Sequence, residues 1–550
     1  MACKKIIFAV LLLSCFIVNH GALADDTGPQ AIPSTSCSTN SDPYKNYECL
    51  DSYLGENIFS RFVNYYELEM GHAAAPTDPN APPSRRDGWP ATPQSAPPMP
   101  FTEWPYGAAT SIGVARPNAT DSPLMVAIAN TSPGQWLQDN HIQIYGWLDP
   151  GFNLSTNNAG QRGGNAPMAY MYTPDVAQLD QAVVYVDRLP DTVQTDHIDW
   201  GGRMSFLYGE NYRYTTAYGI ASNQLLQKNH VNGYDFPMMY GELYIPNIAE
   251  GLVLRVGRYI SIPDIEAQLA PNNYMYSHSM TYSFDNYTNE GLVASLAVTK
   301  NFIVQLGVVD GTETAIWNAG QTIHNPDPNP LYPGSTFAKD PGVQPSLVAC
   351  ARLTWNNGDD TLYPCMDGIN NGVWGYNNLQ WYGFTYYHKF DDEWHLSFET
   401  YDLHQRKVPN VNNPTAAAAI ANGGTPFSPQ YLGFNAPNAA QCSNANDLTC
   451  TASAVGVVAY LNYQFSPLDN ISFRPEFYDD MQGQRTGVVT RYANFGLGWQ
   501  HWLSPQIEFR PELDFDKALD RNAFNGNPTL GIAPNKSYTA LAAMDVVLHF

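Results

Sequence analysis

Charge is scarce in this chain. Only 14% of its 550 residues are Asp, Glu, Lys or Arg, against roughly 25% in an average soluble domain. Basic residues are scarcer still, 27 against 51 acidic ones, for a formal net charge of −24. A nucleic-acid partner, which needs a basic stripe, is therefore not expected. Long apolar runs are missing too. Beyond residue 24 none approaches the roughly 20 residues of a spanning helix, and the mean hydropathy of −0.31 excludes a polytopic helical membrane protein. Cysteine is sparse, eight in all. No couple of them has zinc-like spacing with histidines nearby, so neither a metal nor a cofactor is expected.

What is present is aromatic and turn-forming: 13% aromatic residues, with 35 Tyr, 12 Trp, 42 Gly and 42 Pro. The N-terminus supplies an address. Lys4 and Lys5 precede the apolar run "IIFAVLLLSCFIV", and "GALA" ends at Ala24. That order is a secretory signal peptide over residues 1–24, with cleavage expected after Ala24. The "LLSC" at 12–15 resembles a lipoprotein box weakly, its preceding apolar stretch being very short. Cys3 and Cys15 leave with the signal. The other six fall into local couples, Cys37 with Cys49, Cys350 with Cys365 and Cys442 with Cys450, and are expected to be loop-clamping disulfides.

Residues 25–138 read as an N-terminal extension. "LGENIFSRFVNYYELEM" places Leu54, Ile58, Phe62 and Tyr66 on one helical face. Residues 73–100 are a Pro-rich linker or arm. From 139 to 550 the texture is all-β: about sixteen short alternating stretches separated by Gly, Asn, Asp and Pro. Among them are 141–149, 202–209, 212–220, 252–260, "EWHLSFETY" and "RYANFGLGWQ", with 291–298 and 301–309 forming a hairpin around Lys300. "ISFRPEF" (471–477) puts Ile471, Phe473 and Phe477 on one face and Arg474 and Glu476 on the other. "IEFRPEL" (507–513) repeats it.

Alternation alone does not separate a membrane barrel from a soluble sandwich. The connections do. The stretches 504–506, 466–470, 390–393 and 299–301 are tight. Those at 516–535, 404–452 and 310–375 are long, and 480–487 is intermediate but in phase. Short turns at one end and long loops at the other are the pattern of outer-membrane barrels. The chain stops on Phe550 after "YTALAAMDVVLHF", in which Tyr538, Ala540, Ala542, Met544, Val546, Leu548 and Phe550 share a side. This resembles the terminal signal that the bacterial barrel-assembly machinery reads. A closed transmembrane barrel satisfies every backbone group in lipid, turns Phe473 outward and Arg474 inward. Pro475 and Pro511 each leave an acceptor unserved, so a bulge or a lumenal water is expected beside each.

"ISFRPEFYDD" (471–480), "IEFRPELDFD" (507–516) and "VGRYISIPDIEAQLAPNNYMYSHSMTYSF" (256–284) resemble the β-barrel porins of the OmpL-like type. In that family a strand ending Val-Gly-(Arg or Lys) leads into a Pro-containing segment and then Asn-x-x-Tyr-Ser-(Arg)-Ser. Here that last stretch reads Asn273, Tyr274, Met275, Tyr276, Ser277, His278, Ser279, departing at His278, where no fixed charge carries over. The resemblance covers about 139–550. It implies a barrel in the Gram-negative outer membrane, surrounded by lipid and conducting small solutes or ions.

A pore acts through geometry and the charges on its wall. Candidate pore-lining residues are Arg255, Glu399, Arg474, Glu476, Arg510, Glu512 and Asp514, with Asp479 or Asp480 near a strand end. With one strand between the two Arg-Pro-Glu strands, their charges should lie about 10 Å apart. The equal alternative is that such lumenal Arg and Glu residues simply pair and hold the barrel. The acidic excess favours cations. The 310–375 segment is expected at the surface, an inward constriction being the alternative. A plugged structural or adhesive barrel and an outer-membrane enzyme are the other classes. For the enzyme, no Ser, His and acid grouping stands out, and His388, His395 and His404 lack metal spacing. Many wide porins trimerise, so a homotrimer is among the expected assemblies.

Overall fold

In the computed structural model the chain divides into two units, 1–53 and 54–550. The structure describes residues 49–71, 112, 122–159, 163–168, 170–215, 220–221, 223–226, 230–260, 264–286, 288–312, 344–374, 378–421, 439–527 and 530–550. The signal peptide, the Pro-rich stretch 73–100 and Cys37 lie outside them. A short helix, α1 (Leu50–Leu54), begins in the first unit.

The second unit is a barrel. Its strands are β1 (Gln143–Ser155), β2 (Ala177–Arg188), β3 (Asp199–Gly209), β4 (Gly233–Asp235), β5 (Met239–Ile245), β6 (Leu252–Ile260), β7 (Thr288–Thr299) and β8 (Phe302–Thr312). They continue with β9 (Ser346–Trp355), β10 (Asp360–Ile369), β11 (Gln380–Lys389), β12 (Trp394–Pro409), β13 (Thr449–Ser466), β14 (Asp469–Asp480), β15 (Thr490–Ser504), β16 (Ile507–Ala518) and β17 (Tyr538–His549). Each pairs antiparallel with its neighbours, and β17 pairs with β1, so the sheet closes. β4 and β5 pair with opposite ends of β3. They are one stave interrupted at Phe236–Met238, and the seventeen strands among the described residues make sixteen staves.

Closure removes the sheet edges that lipid would leave unsatisfied. At the seam Gly146 and Phe550 exchange both backbone hydrogen bonds, 3.0 and 2.9 Å. A Cβ at residue 146 would stand 2.7 Å from the Phe550 ring, so glycine is what lets the terminal aromatic lie there.

The expected phase holds around the wall. Phe473, Phe495, Leu497 and Leu513 are exposed, at 40, 47, 50 and 60%, while Arg474, Glu476, Arg510 and Glu512 are buried. Phe473 and Phe495 stack on the outer face, centroids 6.3 Å apart. Short turns (300–301, 356–359, 390–393, 467–468, 505–506) all fall at one end, together with 246–251 and the longer 189–198, and no connection at the other end is as short as those turns.

Four expectations change. The stretch 346–369 is not loop but the hairpin β9–β10, whose inward face carries Val348, Cys350, Tyr363 and Cys365 and so reads in part as apolar on both faces. Cys350 and Cys365 are therefore directly opposed on neighbouring strands, a staple within the wall. The second bond, Cys442–Cys450, clamps the connection that ends in β13. Of the expected 212–220 strand, residues 212–214 belong to a 3-10 turn (Glu210–Tyr214) with Tyr212, Arg213 and Tyr214 buried, because a buried aromatic loop alternates much as a strand does; residues 216–219 lie outside the described residues. Of the bulge or lumenal water expected beside Pro475 and Pro511, the bulge is absent. The ladder to β13 skips from Glu476 to Phe473, and that to β15 from Glu512 to Phe509, with the register unchanged. The missing N–H is thus absorbed as a local gap while the other neighbour remains fully paired. Finally, the helix α2 (Ile58–Glu69), capped by Asn57, buries Arg61, Tyr65 and Glu69, and leaves Ile58 about half exposed. Its buried face follows Arg61, whose guanidinium donates to Val126 O at 3.1 Å on α3 (Pro123–Ile128). These helices, with α4 (Ser132–Asp139), adjoin the short-turn end: Ser122 Oγ donates to Ile144 O, and Gly71 N to Leu503 O. Among the described residues no helix is long and apolar enough to cross a membrane.

Candidate functional site: a segment folded into the lumen

Residues 264–286, between β6 and β7, turn inward and run through the barrel. Almost every side chain among them is buried. Local chemistry builds the fold. Asn273 is an internal peg, its amide donating to Ala267 O (2.7 Å) and Leu269 O (2.9 Å) and its oxygen accepting from Ala267 N (2.8 Å). Ser279 then caps the single helical turn α5 (Met280–Ser283), its hydroxyl accepting from Tyr282 N at 3.0 Å. Glu266 ties the two halves, accepting from Ser279 N at 3.0 Å and from Tyr460 Oη of β13 at 2.5 Å.

The wall holds this segment with the charges that the sequence marked. Arg474 Nη1 donates to Ser277 O (3.0 Å), and Nη2 to Ser277 Oγ and Asp514, both 2.8 Å. Glu476 accepts from Thr281 N (2.5 Å) and Oγ1 (2.7 Å), and from Asn494 (2.8 Å). Arg510 donates to Ala270 O (2.5 Å) and Asn273 O (3.2 Å) while bonded to Asp545 at 3.0 Å. Glu512 accepts from Ser277 N at 3.1 Å, and Asp514 from Ser277 Oγ at 3.3 Å. Glu399 accepts from Ile265 N at 2.8 Å. Six of the seven candidate residues therefore meet the inward segment. Arg255 does not. It pairs with Glu242 at 2.7 Å and lies over the Tyr240 ring, a bond within the wall.

The two Arg-Pro-Glu strands are closer in effect than strand spacing implies. Arg474 and Asp514 reach across β15, where Gly496 is paired with both. Of the neighbouring acids, Asp480 is buried and takes the Thr486 and Arg485 N–H groups, closing the 481–489 connection, whereas Asp479 is only half-buried on the other face. The histidines have separate partners: His388 with Asp360, His404 with Asp402, His395 with Tyr274. No catalytic grouping arises from them.

Sequence reasoning missed the inward course of 264–286 and several of its anchors: Asp180, which accepts from Tyr276 Oη; Gln181, bonded to Gln268 O and Ala270 N; and Arg485, which donates to Phe284 O. A signal was available. For a connection on the long-loop side the run is too apolar, with Leu269, Tyr274, Met275, Tyr276, Met280 and Phe284, and no Lys or Arg occurs from 259 to 299. A solvated loop has no reason for either. The described segment that crosses the lumen is this one and not 344–374; 313–343 lies outside the described residues.

Burial sets the protonation of this segment. His278 stacks on Tyr170 (3.6 Å) and its Nε2 faces Ala267 O at 2.6 Å. Desolvation, aided by Arg474 and Arg510, holds its imidazole well below the usual range. Burial also pushes the carboxyls of Glu266 and Asp285 up, the latter with help from Asp264 and Glu399.

A closed antiparallel wall, apolar outside and charged inside, with a segment folded across its lumen, defines an outer-membrane β-barrel of the porin type. Residues 141–550 match the family described as "Putative beta-barrel porin-2, OmpL-like", and the chain belongs to that family. Among solved structures it is similar to the anion-selective porin from Comamonas acidovorans (10% identity, 74% of this chain and 99% of that one, TM-score 0.43). It is also similar to the outer membrane channel DcaP of Acinetobacter baumannii (10%, 74% and 97%, TM-score 0.42). A stretch of 193 residues is 26% identical to a glycogen synthase of Mesorhizobium japonicum (strain LMG 29417 / CECT 9101 / MAFF 303099), covering 33% of this chain and 39% of that relative. At that identity and coverage it assigns this chain neither fold nor activity.

Proposed function

We propose that this outer-membrane porin passes small hydrophilic solutes or ions by passive diffusion through a lumen narrowed by residues 264–286. The supporting observation is the seating of that segment: its backbone is bonded to Glu399 on β12, Arg474 and Glu476 on β14, and Arg510 and Glu512 on β16, three alternate staves of one arc of the wall. A narrowed path lined by such fixed charges selects by size and field, and Arg474, Glu476, Arg510, Glu512 and Asp514 are the residues we assign to it. The same burial also favours a second reading, in which the segment is a plug that must shift before anything passes.

Single-channel recording of the refolded chain in a planar bilayer distinguishes these. The porin reading expects stepwise conductance from the wild type, with larger steps when Glu476→Gln and Glu512→Gln loosen the segment. Steps only in the double variant identify a plug. Correctly folded protein that never conducts in either form rejects both.

A further inference from the structure

Asp264 and Asp285 stand at the two ends of the described inward segment, and both carboxylates converge on Glu399 of β12. One oxygen from each of the three lies within 4.8 Å of the others. All three side chains are at least nine-tenths buried. Asp285 Oδ2 accepts from Trp381 Nε1 (3.0 Å) and its Oδ1 from Asn286 N (2.6 Å). Glu399 spends Oε2 on Ile265 N, whereas its Oε1 has no hydrogen-bond partner among the described residues. Arg485, on the adjoining 481–489 connection, is turned to the backbone oxygens of Phe284 and Asp285. The segment itself brings no Lys or Arg.

Three carboxylates this close, out of water, need positive charge between them. A proton shared between Asp264 and Asp285 answers that pair alone and leaves Glu399 Oε1 without a partner among the described residues. A divalent cation answers all three. An all-oxygen donor set without His or Cys selects a hard ion.

We propose that Asp264, Asp285 and Glu399 hold a hard divalent cation of the Ca²⁺ class, which clasps both ends of the inward segment to the β12 wall. This reverses the sequence-based expectation of no metal. Binding stands independently of conduction; only its effect on the width of the path rests on the porin reading.

Trp381 makes the site observable, since an indole in contact with a ligand carboxylate sensitises bound Tb³⁺. The experiment titrates Tb³⁺ into the refolded full-length chain in detergent with tryptophan excitation. The expected result is saturable emission, displaced by Ca²⁺, and weakened about tenfold or more in Glu399→Gln and in Asp285→Asn, as loss of a ligating carboxylate predicts. Folding of each variant is checked by heat-modifiable migration, and either variant suffices if the other does not fold. In Trp381→Phe the emission is lost while Ca²⁺ still raises the melting temperature. Emission that Ca²⁺ does not displace, or that survives both carboxylate substitutions, overturns the proposal. So does a Glu399→Gln barrel more stable than a Ca²⁺-insensitive wild type, which would identify shared protons. Bilayers without conductance would count against the porin reading alone and leave the luminescence result standing.

Discussion

Arg474 on β14 and Asp514 on β16 are bonded at 2.8 Å over the face of the strand between them, because the residue beneath is Gly496. A Cβ there would lie 2.9 Å from Asp514 Oδ1, 2.9 Å from Met275 Cε and 3.2 Å from Arg474 Nε. Gly498, the next inward position, makes the same room for Met275. Two glycines thus let the wall ion pair and the inward segment occupy one layer.

Removing the cation of that pair should be costly. Arg474→Ala leaves Asp514 and Glu266 buried without it and frees Ser277, a loss of about 3–5 kcal/mol by analogy with other buried pairs. Urea unfolding in phospholipid vesicles should show it, and bilayer reversal potentials should move towards cation preference. An unchanged reversal potential would sink the selectivity role of Arg474 and spare its structural one.

Gly496 should tolerate only a small side chain. The atoms a methyl group would meet are ends of flexible side chains, so Gly496→Ala should cost about 1 kcal/mol or less. Gly496→Leu must displace the ion pair or Met275, and should cost about 1–3 kcal/mol, as overpacking does. Equal unfolding midpoints for the two variants would refute the crossing geometry.

The lipid face should reject charge. Leu497→Arg turns a guanidinium into hydrocarbon, at a cost of roughly 2–4 kcal/mol if mid-depth. Asn494→Ser, one of the inward positions on the same strand, should cost much less. Folding yields into vesicles give the comparison, and the reverse order would mean the phase assigned to β15 is wrong.

Acid should loosen the inward segment. A buried imidazole held below its ordinary range stays neutral in the fold, while the released chain takes up a proton as pH falls below about 6.5. His278 therefore contributes full stability above that pH and loses it progressively below. Its surroundings are Tyr170, Tyr282, Ala267 O and the cations Arg474 and Arg510. Glu266, with its carboxyl pushed up, opposes the trend by favouring the folded form in acid. Melting temperatures at pH 7.5 and 5 should fall more for the wild type than for His278→Gln. Parallel curves would remove His278 from the account.

The sequence by itself determined the wall. Period-two alternation in segments such as "RYANFGLGWQ", the short-long rhythm of connections and the closing Phe550 are local properties. In a barrel they translate directly into lipid face, lumen face and seam, since a one-residue slip would invert every side chain. It also named the charges that point inward, because Arg474, Glu476, Arg510 and Glu512 alternate with apolar neighbours. What those charges hold was decided only by the tertiary structure. Residues 264–286 have no period to read. Their course follows from carbonyls, amides and carboxylates meeting partners about 100 to 240 positions away, such as Ser277 with Arg474 and Glu512. The same holds for the meeting of Asp264, Asp285 and Glu399: alternation tells which way a side chain points, and only closure of the barrel tells what stands opposite.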